Sequence, residues 1–100
     1  MFGFKSKYGW LTAKFDKYSN GRPSIQLYQD GFPFARMSVN LPDATLQDRE
    51  FHLDMQQCDS IIKDIMDCGH FEPMNREDVS GFNTYEVFRI KDHVQIDVIQ

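Results

Sequence analysis

The stretch Ser24-Ile-Gln-Leu-Tyr-Gln-Asp-Gly-Phe-Pro-Phe-Ala-Arg-Met-Ser-Val-Asn-Leu41 predicts a β-hairpin. Ile25 and Leu27 alternate with polar residues in its first arm, and residues 35–41 alternate in the same way in its second. Because successive side chains of a strand point to opposite faces, each arm has one apolar face. Asp30-Gly31 supplies the turn, since glycine reaches positive φ without steric cost.

The segments around this hairpin predict further strands. Trp10–Tyr18 alternates, and the turn Ser19-Asn-Gly-Arg-Pro23 leads it back antiparallel into the hairpin. The aromatic and basic residues 1–9 are predicted to form an edge strand or an arm on the core. Additional strands are expected at Glu50–Met55, Tyr85–Ile90 and His93–Ile99, and residues 70–81 are expected to form a loop.

A helix is predicted around residues 58–68. Its apolar positions follow one stripe of a 3.6-residue period: Cys58, Ile61, Ile62, Ile65 and Met66. Gly69 follows the last turn, where a left-handed residue commonly ends a helix. We expect this stripe to cover the apolar face of the sheet.

These elements predict a single α+β domain over residues 1–100. Its expected architecture is an antiparallel β-meander of about five or six strands packed by one α-helix. No apolar run is long enough for a membrane span, and the N-terminus lacks the order of a secretion signal. Cys58 and Cys68 lie too far apart on one helix to pair, so we expect a reducing, cytoplasmic compartment.

The catalytic and metal-binding signals are weak. Cys58, Cys68 and His70 offer three ligands, but structural zinc sites usually show four in close pairs. A thiol with His70 or His52 as base lacks any orienting signature. The carboxylate pairs Asp48/Glu50 and Glu77/Asp78 sit in polar segments that favour solvation. We therefore expect neither an enzyme nor a bound metal or cofactor.

Charge is divided unevenly along the chain, which carries a net charge of −4. Residues 1–36 sum to +4 and residues 37–100 to −8. This asymmetry fits either a solvated surface or a surface with a partner. A partner-binding acidic face around the helix is predicted from these residues: Asp43, Asp48, Glu50, Asp54, Asp59, Asp64 and Asp67.

The basic N-terminal part offers an alternative, a nucleic-acid-binding face. Lysine and arginine side chains meet phosphates, and aromatic rings stack on bases. The candidate residues for this face are Phe4, Lys5, Lys7, Tyr8, Lys14, Lys17 and Arg22, with Phe2 and Trp10 beside them.

Several short motifs resemble a known kind of domain. These are Tyr18-Ser-Asn-Gly-Arg22, Ile25-Gln-Leu27, Asp30-Gly31, Ser38-Val-Asn-Leu-Pro42, Gly69 and Ser80-Gly-Phe82. Together they resemble a family of small uncharacterised domains encoded by bacterial phages, plasmids and other mobile elements. The resemblance covers roughly residues 14–90; the aromatic N-terminus and the segment 94–99 depart from it.

The resemblance implies a role in host takeover or anti-defence. On that basis we expect a non-enzymatic protein-interaction module, an inhibitor of a host nuclease or defence complex that acts by stoichiometric binding. Its expected partner is a host protein in the bacterial cytoplasm, one that itself binds nucleic acid. Unpaired sheet edges also allow a homodimer. Direct nucleic-acid binding is the alternative function.

Overall fold

Two antiparallel sheets and one helical segment make up the computed structural model, which describes residues 2–96. The first sheet has the strand order β1-β2-β3-β4 and the second β5-β6-β8-β7. The strands are β1 (Phe2–Ser6), β2 (Gly9–Lys17), β3 (Pro23–Gln29), β4 (Phe32–Arg36), β5 (Ser38–Val39), β6 (Glu50–Leu53), β7 (Phe71–Ser80) and β8 (Asn83–Ile90). The predicted α+β class with antiparallel strands and one helix is confirmed, although the strands divide between two sheets.

The first sheet is the predicted meander. The turn between β3 and β4 has positive φ at both Asp30 (52°) and Gly31 (84°), as a tight hairpin requires. Ile25 and Leu27 are fully buried, which confirms the predicted apolar face. Residues 2–6 form the expected edge strand, since β1 pairs with β2 on one side.

The second arm of the hairpin does not remain in one sheet. β4 ends at Arg36, Met37 donates its N–H to Ile25, and β5 then pairs with β6 of the second sheet. Ser38, a polar position of the alternation predicted for residues 35–41, is fully buried, and its Oγ accepts the Ile25 N–H at 2.9 Å. The strand therefore forms the corner between the two sheets.

The prediction of a loop over residues 70–81 is wrong. This segment contains β7, which pairs with β8 in a hairpin closed by Gly81 and Phe82. A register shift between Pro73 and Glu77 interrupts the ladder, and Asn75 there has φ 56°. Pro73 and Asn75 are typical loop residues, but here they form a β-bulge inside one long strand.

The helical segment begins earlier than predicted. It comprises α1 (Met55–Cys58), a 3₁₀ turn (Asp59–Ile61) and α2 (Ile62–Asp67), and Asp54 caps its first turn. Its buried residues Cys58, Ile61 and Ile65 complete the core between the two sheets. Met66, predicted to be in the apolar stripe, is exposed.

The segment after β8 contains no strand up to residue 96. Val94 is buried against the core, and Ile96 packs on its margin. Residues 97–99 of the predicted last strand lie outside the described residues. Within residues 2–96, no helix combines the length and apolarity needed to cross a bilayer.

Candidate functional site

The outer side of the first sheet carries a row of cations and aromatic rings. Inward residues of this sheet, such as Leu11 and Leu27, pack on the core, so their neighbours in sequence face solvent. We call this surface the Trp10 face and define it by Lys5, Trp10, Lys14, Tyr28 and Arg36. Strand register sets its layout: Lys5 lies opposite Trp10, and Lys14 lies opposite Gln26, which in turn lies opposite Arg36.

Trp10 lies against Gly3, on the outer side of the edge strand. A Cβ built at Gly3 would be 2.6 Å from Trp10 Nε1 and 2.8 Å from Cε2. The indole therefore occupies the space that a side chain at position 3 would take. Trp10 is nevertheless 60% exposed, so much of the ring is available to a ligand.

The cations of the Trp10 face form no close ion pairs with the described residues, although Asp16 lies two residues from Lys14 on the same strand face and Asp64 and Asp67 line a groove beside Lys5. Lys5, Lys14 and Arg36 are exposed, and none of them forms an ion pair with any residue in the described range 2–96. Lys14 and Trp10 are four residues apart on β2, a separation of about 13 Å at the rise of an antiparallel strand. The surface thus places positive charge on both sides of an exposed ring.

A groove of about 310 Å³ runs beside the indole, between β1 and the end of α2. Gly3, Lys5 and Trp10 form one wall. The opposite wall includes Asp64 and Asp67, of which Asp64 accepts the Lys7 N–H at 3.0 Å. Asp64 and Asp67 therefore disfavour an anion inside the groove itself and leave the open surface of the sheet as the place for phosphates.

The residues predicted for a nucleic-acid face separate into two groups. Lys5, Lys7, Tyr8, Lys14 and Lys17 are exposed as that hypothesis requires. Lys7 and Tyr8 lie in the β1–β2 turn, where the Tyr8 ring is 5.8 Å from that of Phe34.

Two members of that set have structural roles instead. Phe4 is buried in the core at 3% exposure. Arg22 donates hydrogen bonds from its guanidinium to the Leu41 carbonyl at 2.6 Å and to the Ala44 carbonyl. Arg22 therefore ties the β2–β3 turn to the loop that precedes β6.

The predicted acidic face is dispersed over several environments. Asp43, Asp48, Asp59 and Asp67 are exposed. Asp67 accepts a hydrogen bond from Lys63 at 2.6 Å. Asp54 caps α1, Asp64 bonds to the backbone of Lys7, and Glu50 is buried.

Glu50 belongs to a polar cluster on the second sheet that the sequence did not reveal, in which Glu50 and His52 are buried and their partners are partly exposed. The Arg76 guanidinium donates to both carboxylate oxygens, at 2.7 and 3.4 Å, and holds the pKa of Glu50 below its usual range. His52, fully buried, places Nε2 at 2.8 Å from Asp78 Oδ2. Arg76 lies in the β7 bulge and Asp78 just after it, and both reach side chains of β6.

The two thiols are buried or half-buried, and the remaining two histidines contact each other. Burial, followed by the charge of Asp54, raises the pKa of Cys58 to about 12. Burial also raises the pKa of Cys68, whose thiol donates to the Ile65 carbonyl. His70 faces His93, with 3.0 Å between Nδ1 and Nε2. No three His, Cys, Asp or Glu side chains in residues 2–96 converge on a possible metal position.

Sequence reasoning missed two features that require the tertiary pairing. Arg36 and Tyr28 join the Trp10 face only through the β3–β4 register. The distal β7–β8 hairpin, which displays Val79 at 73% and Phe82 at 106% exposure, was hidden in the predicted loop. The motif Ser80-Gly-Phe82 was the available signal for its turn.

Comparison with known proteins finds no significant match among family models, curated proteins or solved structures. The resemblance to domains of mobile elements therefore stays a prediction.

Proposed function

We propose that this protein binds single-stranded nucleic acid on the Trp10 face. The observation that carries the proposal is the indole of Trp10, which lies across Gly3, is largely exposed, and is flanked by cations that form no close ion pair with the described residues. An unpaired base has a free ring face that can stack on this indole. Lys5, Lys14 and Arg36 supply positive charge for the backbone phosphates.

Several features favour single strands over duplexes. An open sheet with exposed aromatic rings is a surface on which unstacked bases lie flat. The bases of a duplex are already stacked on one another and would not reach Trp10. Stacking accepts every base, so we expect weak dependence on sequence.

The net charge of −4 opposes this binding over the protein as a whole. The affinity should therefore be modest and strongly dependent on salt. A competing explanation is that Trp10 only covers the backbone at Gly3, as aromatic side chains do beside strand glycines. That explanation predicts no affinity for oligonucleotides at low salt.

The proposal is tested by fluorescence anisotropy of a labelled single-stranded oligonucleotide between about 50 and about 200 mM salt. Three phosphate contacts predict a slope of log K against log salt near about −2, since each contact to a single strand contributes about −0.7. Lys14→Ala and Arg36→Ala should each reduce the slope by about one contact.

The matched control is Lys63→Ala. It removes one exposed lysine from the helix, where Lys63 pairs with Asp67, and so changes net charge equally at a position outside the Trp10 face. Unchanged binding by Lys63→Ala with reduced binding by Lys14→Ala supports the proposal. Equal loss in both variants, or no binding at about 50 mM salt, contradicts it.

Stoichiometric binding of a host protein is the second candidate. It is supported by four exposed carboxylates, of which Asp59 and Asp67 lie on the outward side of the helical segment. Both cysteines are free, which is compatible with the bacterial cytoplasm in which a mobile-element inhibitor would act. Pull-down from a bacterial lysate with the unmodified protein and with Asp59→Lys/Asp67→Lys tests it; a partner retained equally by both contradicts a role for these residues.

A further inference from the structure

The distal half of the β7–β8 hairpin projects from the second sheet. Within the described residues, β8 pairs with β6 only through residues 87–89, whereas residues 77–86 pair with one another. We call residues 77–86 the arm. A two-stranded ribbon of this kind gains little stability by itself, so the body of the protein must hold it in place.

The arm is fastened firmly at its base. Asp78 is 2.8 Å from the buried His52, and Arg76, just before the arm, pairs with Glu50 at 2.7 Å. These contacts join Arg76 in the β7 bulge, and Asp78 two positions later, to strand β6. Polar contacts to the buried side chains of His52 and Glu50 therefore hold the base of the arm against β6.

The tip of the arm exposes apolar side chains to solvent. Ser80 pairs with Asn83, so Gly81 and Phe82 form a two-residue turn, and Gly81 has φ 64°. Phe82 is fully exposed and Val79 is 73% exposed. A solvent-exposed aromatic side chain at the tip of a positioned β-hairpin is typical of a residue that anchors a protein interface.

The charge of the arm complements the Trp10 face. Residues 77–86 contain Glu77, Asp78 and Glu86 and no lysine or arginine. The Trp10 face presents the opposite combination, an exposed indole among Lys5, Lys14 and Arg36. Each copy of this chain thus carries both an acidic apolar projection and a basic aromatic surface.

We propose that the arm of one copy docks on the Trp10 face of a second copy. Phe82 packs on the indole of Trp10, and Glu77 and Glu86 approach the cations beside it. Aromatic packing supplies the affinity, and the opposite charges align the contact. When two copies exchange arms reciprocally, the contact closes into a dimer.

This self-association goes beyond the proposed nucleic-acid binding, on which it rests in part, because it would regulate access to the Trp10 face. The phenyl ring and the carboxylates of the arm present to the Trp10 face the same combination as a base and its phosphates. Self-association therefore competes with a nucleic-acid ligand for one surface.

The test is sedimentation of the full chain without nucleic acid, over concentrations from about 1 μM to about 1 mM. The unmodified protein should associate as its concentration rises. Phe82→Ser and Trp10→Ala should each raise the dissociation constant by at least about tenfold, the effect of losing one interface anchor. Met66→Ala, which removes an exposed apolar side chain from the helix, is the control and should associate normally.

A mixture of Phe82→Ser and Trp10→Ala sharpens the test. The first variant keeps an intact face and the second an intact arm, so together they can form one contact. Association should return in the mixture and stop at a 1:1 complex. A monomeric unmodified protein, association that persists in Trp10→Ala, or no recovery in the mixture overturns the proposal. Because no oligonucleotide is present, a failure here leaves the nucleic-acid proposal standing, and the reverse also holds.

Discussion

The indole of Trp10 fills the space beside Gly3, with its Nε1 only 2.6 Å from where a Cβ would stand. A Cβ there would also lie 2.7 Å from the Leu11 carbonyl oxygen, so neither neighbour leaves room for a side chain. Glycine at this edge-strand position is therefore what allows the ring to lie against the sheet.

Gly3→Ala should displace the indole. The added methyl group forces the ring and the strand apart, and overpacking of this kind costs about 1–3 kcal/mol. Trp10 is the sole tryptophan, so its emission reports the change without ambiguity. We expect a red-shifted emission and a lower urea midpoint. Gly21→Ala is the control: its φ of 86° makes alanine strained, but nothing lies within 4 Å, so stability falls while emission stays constant.

Arg22→Ala should lower stability without changing the salt dependence of oligonucleotide binding. The substitution leaves the Leu41 and Ala44 carbonyls without their guanidinium donor. Loss of hydrogen bonds to a charged group costs about 1.5–3 kcal/mol. Urea unfolding measures the first effect and anisotropy at several salt concentrations the second. A reduced salt slope in this variant would place Arg22 on the binding surface after all.

The Glu50–Arg76 pair should make stability depend on pH. Arg76 lowers the pKa of the buried Glu50 in the folded state, so the pair stabilises the protein above the unfolded-state pKa of the carboxyl group. This stability is lost as pH falls through the lower folded-state pKa. Arg76→Ala should cost about 1–2 kcal/mol at about pH 7, a value reduced because the Arg76 side chain is 42% exposed.

The difference between Arg76→Ala and the unmodified protein should shrink on acidification. Urea unfolding at about pH 7 and at about pH 3 measures both values. A difference that is the same at the two pH values would show that Arg76 acts through packing alone. Lys63→Ala serves as the control, because its partner Asp67 is exposed and little stability is expected from that pair.

The two thiols should react at different rates with a disulfide reagent. The thiolate is the reactive form, and burial together with the raised pKa of about 12 leaves Cys58 almost wholly protonated. Cys68 is half-buried, so it should react slowly but first. Cys58 should react only when the core opens, at a rate that rises with urea. Comparison with Cys58→Ser and Cys68→Ser assigns the two phases, and fast labelling of Cys58 in water would contradict the buried position.

Local sequence patterns predicted the parts of the fold that depend on neighbouring residues. The Asp30-Gly31 turn, the alternation around Leu27 and the buried face of the helix all follow from short-range rules of turn chemistry and periodicity. The helix boundary moved because Asp54 caps it before the apolar stripe begins. In the sequence, residues 55–57 separate Asp54 from the apolar stripe that begins at Cys58, so Asp54 resembles the end of a strand more than a helix cap.

The predictions that were wrong concern residues whose structure depends on partners distant in sequence. Much of β7 is exposed and therefore polar in sequence, and its bulge region contains Pro73 and Asn75. Both features made residues 71–80 resemble a loop. The strand forms since β8 pairs with it on one side, and nothing within the segment itself signals that partner. Ser38 is buried where the chain passes from one sheet into the other, and there its Oγ accepts the Ile25 N–H.

The candidate site was predicted in composition but not in layout. Lys5 and Lys14 are on the solvent side as their alternation suggests, whereas Phe4 alternates with them into the core. Arg36 joins the surface through strand register, which a single sequence does not contain.

Stacking of a base on Trp10 is tested most directly by the fluorescence of Trp10 during titration with a short single-stranded oligonucleotide at low salt. Stacking of a base on the indole should quench its emission in a saturable manner, and added salt should restore it as the phosphates are released. Trp10→Phe should keep weaker binding by anisotropy, and Lys14→Ala should shift the quenching to higher oligonucleotide concentration. An emission spectrum that stays unchanged at saturating oligonucleotide would show that the ring of Trp10 covers Gly3 and binds no base.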